Sequence, residues 1–419
     1  MNIINLQGLK GFCVMGAACL VALLTIHSAA SAQTVTFSLA GSAGDQGRSG
    51  VAGAGSGTVT PGGVATVNFT GLDSGNDKCS EVLQLYFTMS LPSGDNFATL
   101  FNATGFTESG STQTIVGTLL VTGGKGTWAN LGGTGTATIV VVQGSSGKTY
   151  TFTITGSVTF GGALVPKANV LPSGITAVFS DRALISPGAW ASVFGTNLAN
   201  ATVSWNGDFP ISLGNVSATV DGKAAYFWFV SAGQINLQVP DGIRTGCVPF
   251  VLNTPNGTVT TQVEVQAAGP SLSMLDDKYI AAVILTPNGS GAYGNGSYDI
   301  AGPVGRFSYK TRPAKRGENV VLYGVGFGPT NPAVPAGKPY SGAAKTTLNI
   351  GVSISTGPTT GIGLPVSFAG LVGAGLYQIN ITIPTNAPFG DLVIRAFIQG
   401  QNSPDSSSQS FFTYLTVSP

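Results

Sequence analysis

Gln234-Ile235-Asn236-Leu237-Gln238-Val239-Pro240 decides how this chain is read, because it returns 144 residues later as Gln378-Ile379-Asn380-Ile381-Thr382-Ile383-Pro384. In both copies Ile, Leu or Val alternates with Gln, Asn or Thr, and the run stops at proline. A period of two puts the apolar residues on one face of a half-buried strand. Proline then closes the strand, because it has no N–H to give to a ladder. Two copies predict a duplicated β module. The amides of Gln234, Asn236, Gln378 and Asn380 are expected to bond nearby loop backbone or solvent and to fix the end of each module.

Upstream of each copy stands a second matching stretch. Ile185-Ser186-Pro187-Gly188-Ala189-Trp190-Ala191-Ser192-Val193-Phe194-Gly195 corresponds to Ala314-Lys315-Arg316-Gly317-Glu318-Asn319-Val320-Val321-Leu322-Tyr323-Gly324. Gly188 lies 46 residues before Gln234, whereas Gly317 lies 61 before Gln378. The second copy therefore carries an insertion, which the Pro- and Gly-rich run 329–345 predicts to be an extended loop. Asp221-Gly222, between the alternating runs 216–220 and 224–230, signals a hairpin.

The segment from Ser186 to Ala199, the two Gln-Ile-Asn strands and Leu376-Tyr377-Gln378-Ile379-Asn380 resemble a family of C-terminal modules from secreted proteins of soil acidobacteria, similar to IPT/TIG immunoglobulin-like domains. The resemblance covers about residues 169–419. It implies tandem immunoglobulin-like sandwiches in an exported protein, and brings no catalytic residues with it.

Residues 33–163 stand outside that resemblance. Alternating runs at 35–39, 64–69, 82–87, 115–121, 136–142 and 150–160, separated by Gly-rich turns, predict about six strands. The Gly-rich hairpin 121–135, with Trp128 at its centre, is similar over roughly twenty residues to allene oxide cyclase-like and dirigent-like barrels. No site residue of those families can be placed here. The predicted fold class is all-β: an N-terminal antiparallel β-sandwich or small barrel followed by two immunoglobulin-like β-sandwich repeats. The predicted organisation is a signal peptide (1–32), an N-terminal domain (33–163), a linker (164–172), repeat one (173–270), a connecting segment (271–311) and repeat two (312–419).

Composition agrees. Charged residues make up 8% of the chain, against roughly 25% in an average soluble protein. Hydrophobic residues reach 43%, which argues against disorder. Lys10, the apolar run 12–26 and Ala30-Ser31-Ala32 form a secretory signal with a small-residue cleavage site. No later run is long and apolar enough to predict a membrane-spanning helix. Cleavage would remove His27, the sole histidine, and leave Cys79 and Cys247 as the only cysteines. It would also balance the mature chain at 17 basic and 17 acidic residues, since Lys10 leaves. Near-zero net charge gives no electrostatic reason to expect nucleic acid as a partner.

Without histidine, Ser-His-Asp and Cys-His catalysis and histidine-ligated metals are excluded for the mature chain. No cofactor fingerprint opens a helix. Asp73-Ser74-Gly75-Asn76-Asp77, with Glu81, reads as a polar turn with some calcium-like oxygen content; Asp276-Asp277 is a weaker version. Among aromatics, Trp205 is the best candidate for stacking on a sugar, while Tyr226 and Trp228 share one strand face suited to an interface. Arg306, Lys310, Arg312, Lys315 and Arg316 form the densest charge cluster, a candidate contact for anionic polysaccharide or an acidic domain. Cys79 and Cys247 are candidates for a disulfide in an oxidising compartment. The expected function is a non-catalytic, cell-surface or extracellular interaction or adhesion module, with extracellular polysaccharide or another envelope protein as partner. The alternatives are a carbohydrate-binding protein and an enzyme seated in the N-terminal domain.

Overall fold

The computed structural model describes residues 33–45, 51–72, 79, 84–143, 149–180, 182–357, 361–399 and 413–419. The expected signal peptide with His27, and the polar turn 73–77 with Glu81, lie outside the described residues. The protein is all-β. It divides into two compact units, Met1–Leu72 with Leu83–Val165 and Asp73–Val82 with Pro166–Pro419.

The first unit is a closed antiparallel barrel of eight strands. They are β1 (Gln33–Asp45), β2 (Val51–Thr60), β3 (Gly63–Leu72), β4 (Gln84–Ser90), β5 (Asn96–Ser109), β6 (Thr112–Lys125), β7 (Leu131–Gln143) and β8 (Thr149–Ala163). Each pairs with its sequence neighbour, and β1 closes the ring on β8. Alternation drives the fold: Val35, Phe37 and Leu39 point inward, while Thr34, Thr36 and Ser38 are exposed. Aromatic rings occupy the interior. Phe69 meets Phe152 edge-on at 4.7 Å, and Trp128, 3% exposed, sits between Phe97 and Phe160. These rings pack against one another in the apolar cluster inside the barrel.

Two strands escape a pattern reading. In β2 the inward-facing line holds Gly53, Gly55 and Gly57. A Cβ on Gly53 would lie 2.5 Å from the Phe69 ring, and one on Gly57 would collide with the Ser38 carbonyl. Glycine is required there by close approach of ring and backbone, although the same letters read as a turn. In β5 the alternation is broken by register shifts between Ala98 and Thr99 and between Ala103 and Gly105.

In the second unit, four sheets surround two cores. One six-stranded sheet contains Leu184–Ile185, Gly257–Val265, Gly246–Thr254 and Val216–Val220, and a five-stranded sheet contains Tyr226–Val230, Gln234–Gln238, Trp190–Thr196 and Asn169–Ala177. Their apolar faces meet in one cluster that includes Val193, Phe227, Ile235, Leu237, Phe250 and Val263. The other core lies between an eight-stranded sheet containing Asn319–Val325, Leu376–Thr382 and Val366–Gly373 and a five-stranded sheet containing Ile350–Ser355, Gly390–Ile398 and Thr413–Ser418. The segment expected to connect the repeats supplies Ser271–Leu272, Ala282–Leu285 and Tyr298–Ile300 to that eight-stranded sheet.

The two glutamine-bearing strands occupy matching places. Gln234–Gln238 pairs with Trp190–Thr196, and Leu376–Thr382 with Asn319–Val325. Gly188 N donates to Val239 O and Val239 N to Ala189 O; Gly317 N donates to Ile383 O and Ile383 N to Glu318 O. The amides bond one another along the strand: Gln234 Nε2 donates to Asn236 Oδ1 at 2.9 Å, and Gln378 Nε2 to Asn380 Oδ1 at 2.8 Å. Ser192 Oγ also donates to Asn236 Oδ1 at 3.1 Å, and all four amide residues stay half-buried. Cys79, in the loop after β3, is disulfide-bonded to Cys247 of strand Gly246–Thr254, with the Cα atoms 5.3 Å apart.

Candidate functional site

The features that the sequence singles out fall in two places on the second unit. The first is a joint between its two cores, built around Trp190. The Trp190 ring meets Trp205 edge-on at 5.5 Å and Trp228 at 5.7 Å, and stacks on Phe209 at 6.2 Å. Its Nε1 donates to Ala374 O at 2.8 Å, across 184 residues of sequence. Trp190 also packs with Ala177, Ala189 and Val325, so residues from both cores share this small cluster. The insertion 329–345, expected to be one extended loop, instead contains strand Thr330–Asn331 and most of strand Ser341–Thr346 of the eight-stranded sheet, and the connection between them reaches the same place. Ala336 N donates to Asp241 Oδ2 at 2.6 Å, and Gly337 N to Gln238 Oε1 at 2.9 Å. Gln238, buried, donates in turn from Nε2 to Gly188 O. Gly337 has φ +74, and a Cβ there would strike the Tyr226 ring.

The aromatic run and the insertion loop are therefore partners of each other. Trp205 is partly buried against Trp190 and Phe209, which uses much of the ring surface that sugar stacking would need. Trp228 keeps 40% exposure. Neither Trp190 nor Gln238 stood out in the sequence as a joint residue, since their partners lie about 100 to 184 positions away.

The second place is the basic cluster. Its three arginines are held internally. Arg306 Nε lies 2.6 Å from Asp276 Oδ2, and the guanidinium sits 4.9 Å from the Tyr279 ring centroid. Arg312 bridges Asp299 at 2.5 Å and Glu318 at 2.9 Å. Arg316 donates to Ala387 O at 2.9 Å and lies over the Phe389 ring. Next to these, Lys278 Nζ lies 4.9 Å from both the Tyr279 and Tyr414 rings and 3.0 Å from Asp391 Oδ2, which Tyr279 Oη also contacts at 2.6 Å. The sequence hid this network because Asp391 and Tyr414 are remote from it in the chain.

Burial alone would raise the Asp276 carboxyl, but the N–H groups of Tyr279 and Lys278 and the Arg306 side chain outweigh it and hold the pKa below the ordinary value. Burial is likewise outweighed at Asp299 by Arg312 and at Asp391 by Tyr279 and Lys278. These carboxylates stay ionised at neutral pH, which suits ion pairing and not proton donation. Asp276 is already engaged by two N–H groups and a guanidinium, so it is not free to take a calcium ion in the way its sequence allowed. Among the described residues no group of three or more His, Cys, Asp or Glu is placed to hold a metal.

Lys310 and Lys315 are different. Both are exposed, and neither side chain has an ion-pair partner among the described residues. Lys310 lines an open cleft of about 470 Å³ bounded by Ala292, Asp299, Val304, Gly305, Ser308, Tyr309, Thr311 and Arg312. The cleft is formed by a closed loop: Gly302 N donates to Arg312 O, Arg312 N to Ile300 O, and Thr311 Oγ1 to Pro303 O. Val304 is 75% exposed, and the exposed Tyr309 ring stacks on Phe307 at 5.3 Å. One free ammonium, an aromatic face, an apolar side and several hydroxyls thus converge on a concave surface of ligand-binding size. Of this set the sequence indicated Lys310 and Arg312; Val304 and Tyr309 gave no periodic or motif signal. Neither a scan against protein-family models nor a search of curated proteins finds a match to this chain.

Proposed function

We propose that this chain is a non-catalytic exported interaction protein whose second unit engages acidic extracellular or cell-surface polysaccharide through the Val304–Arg312 cleft. The observation that carries this reading is the position of Lys310. Three of the five cations in its cluster are held by internal partners, whereas Lys310 stands free beside an exposed tyrosine in a concave site. A uronic-acid unit matches that chemistry. Its ring face lies against Tyr309, its carboxylate pairs with Lys310, and its hydroxyls meet Ser308 and Tyr309 Oη.

Export rests on the sequence, on Lys10, the apolar run 12–26 and Ala30-Ser31-Ala32. The resemblance of residues 169–419 to tandem IPT/TIG-like modules of secreted proteins supports the same setting, in which such modules act as spacers and binding platforms. The Trp190 joint supports a rigid platform, because hydrogen bonds and ring contacts from both cores meet there. The test is retention of the full mature chain on an array of acidic and neutral glycans. Retention on acidic members that weakens as salt rises supports the reading. Retention on none of the acidic members overturns it.

A further inference from the structure

The outer wall of the barrel is rich in hydroxyl side chains, interrupted by a few exposed valines such as Val64 and Val116. In the described part of the first unit the charged residues are Asp45, Asp95, Glu108 and Lys125, all in turns or within two residues of a strand end. Strands of the second unit, in contrast, carry Glu264, Lys345, Asp391 and Arg395. Threonine is an ordinary choice for a solvent-facing strand position, but so are lysine and glutamate, and the barrel omits them.

The hydroxyls are also in register. Thr118 stands opposite Thr136, Thr136 opposite Ser157, and Ser157 opposite Thr36. The next row runs Thr138, Thr155, Ser38. The wall is hollowed where these rows cross. Gly117, Ala137 and Gly156 are consecutive partners on the inward side, and a Cβ on Gly117 or Gly156 would lie 2.5 or 2.7 Å from the rings of Phe101 or Phe37. With little side chain to hold it off, the sheet settles onto those rings. Outside this place lies an open groove of about 420 Å³ whose lining includes the hydroxyls of Thr104, Thr118, Thr136, Thr138, Thr155 and Ser157 and the exposed side chain of Val116. Of these hydroxyls, only that of Thr104 has a protein partner among the described residues, the Val116 carbonyl.

We propose that this groove binds a neutral, extended polysaccharide chain lying across β6, β7 and β8. Three observations select that ligand class. Each free hydroxyl both donates and accepts, as sugar hydroxyls do. The wall offers no ion pair, so a charged polymer has nothing to recognise. Hydroxyl rows repeat at the strand spacing, about 4.8 Å, which is close to the length of one hexose in an extended β-linked chain, so successive sugars meet successive strands. This site is independent of the Lys310 cleft and takes an uncharged ligand where the cleft takes an acidic one.

The test is adsorption of the full mature chain to amorphous cellulose, a neutral β-linked glucan. Adsorption should persist at about 1 M salt, where screening acts within about 3 Å. The triple substitution Thr118→Val, Thr136→Val and Thr155→Val keeps shape and β-branching but removes hydroxyls, and should weaken adsorption about tenfold or more with an unchanged melting temperature. Lys310→Ala should adsorb like the parent, which separates this site from the cleft. Failure of the parent to adsorb, loss of adsorption at high salt, or equal adsorption of the triple variant overturns the proposal.

Discussion

Replacing Trp190 by alanine tests the joint of the second unit. The ring packs against Trp205, Trp228 and Phe209, and Nε1 satisfies the Ala374 carbonyl. Truncating a packed tryptophan costs about 3–5 kcal/mol, which combines the burial free energy of the indole with the cavity it leaves behind. Trp190 is only partly buried, which places the expected value near the lower end, about 3 kcal/mol. The hydrogen bond to Ala374 contributes about 1 kcal/mol of such a figure. Trp228→Ala is the internal control, because that ring is 40% exposed and has Trp190 as its ring partner. One edge-on pair corresponds to about 0.5–1.5 kcal/mol. Urea unfolding followed by far-UV circular dichroism avoids a signal that depends on the deleted indole. The parent second unit should unfold in one transition, Trp190→Ala should lower its stability at least twice as much as Trp228→Ala, and the transition should broaden or split as the two cores uncouple. Equal destabilisation by the two variants, or less than about 1 kcal/mol for Trp190→Ala, would refute the joint.

Three other outcomes follow from the same geometry. Asp221 is held at about 2, chiefly by the Arg244 side chain and N–H, and Asp276, Asp299 and Asp391 sit below their ordinary value of 3.8; a lowered carboxyl pKa means that the unfolded chain binds protons first, so stability is present above about pH 4 and is lost as pH falls from there toward about 2. Urea midpoints that stay level down to about pH 2.5 would contradict this. The Cys79–Cys247 bond closes a separation of 168 residues; intact mass without reductant should show both thiols consumed, and Cys247→Ser should cost up to about 5 kcal/mol, whereas two titratable thiols in the native chain would refute the pairing. Gly57→Val in the barrel should prevent or severely destabilise folding, because a Cβ there meets the Ser38 carbonyl on the paired strand; a melting temperature within a degree or two of the parent would refute the close approach.

Much of the fold was legible because alternation is a local property. Val35 to Leu39, Ile115 to Val121 and Tyr150 to Phe160 announce their strands through a period of two, and the structure places all three in the barrel. β2 was not legible, since Gly53, Gly55 and Gly57 are chosen by rings and carbonyls contributed from other strands. Closure of the ring was equally hidden, because it depends on β1 meeting β8 more than 100 residues later. The candidate site divides in the same way. Charge density at 306–316 is visible in the sequence, yet which cations remain free depends on Asp276, Asp299 and Glu318, whose placement is tertiary. The aromatic run at 226–229 and the loop at 329–345 were each conspicuous alone. That they meet is visible only once Gly337 is seen against Tyr226.

The central claim is that Lys310 and Tyr309 form a site for acidic saccharide, and titration calorimetry with a uronic-acid oligosaccharide tests it most directly. The parent chain should bind with an affinity that falls as salt is raised. Lys310→Ala should lose about 1.5 kcal/mol or more, roughly tenfold in affinity, with unfolding unchanged, because the side chain is exposed and unpaired. Equal affinity for parent and Lys310→Ala, or heat that does not respond to salt, would contradict the account.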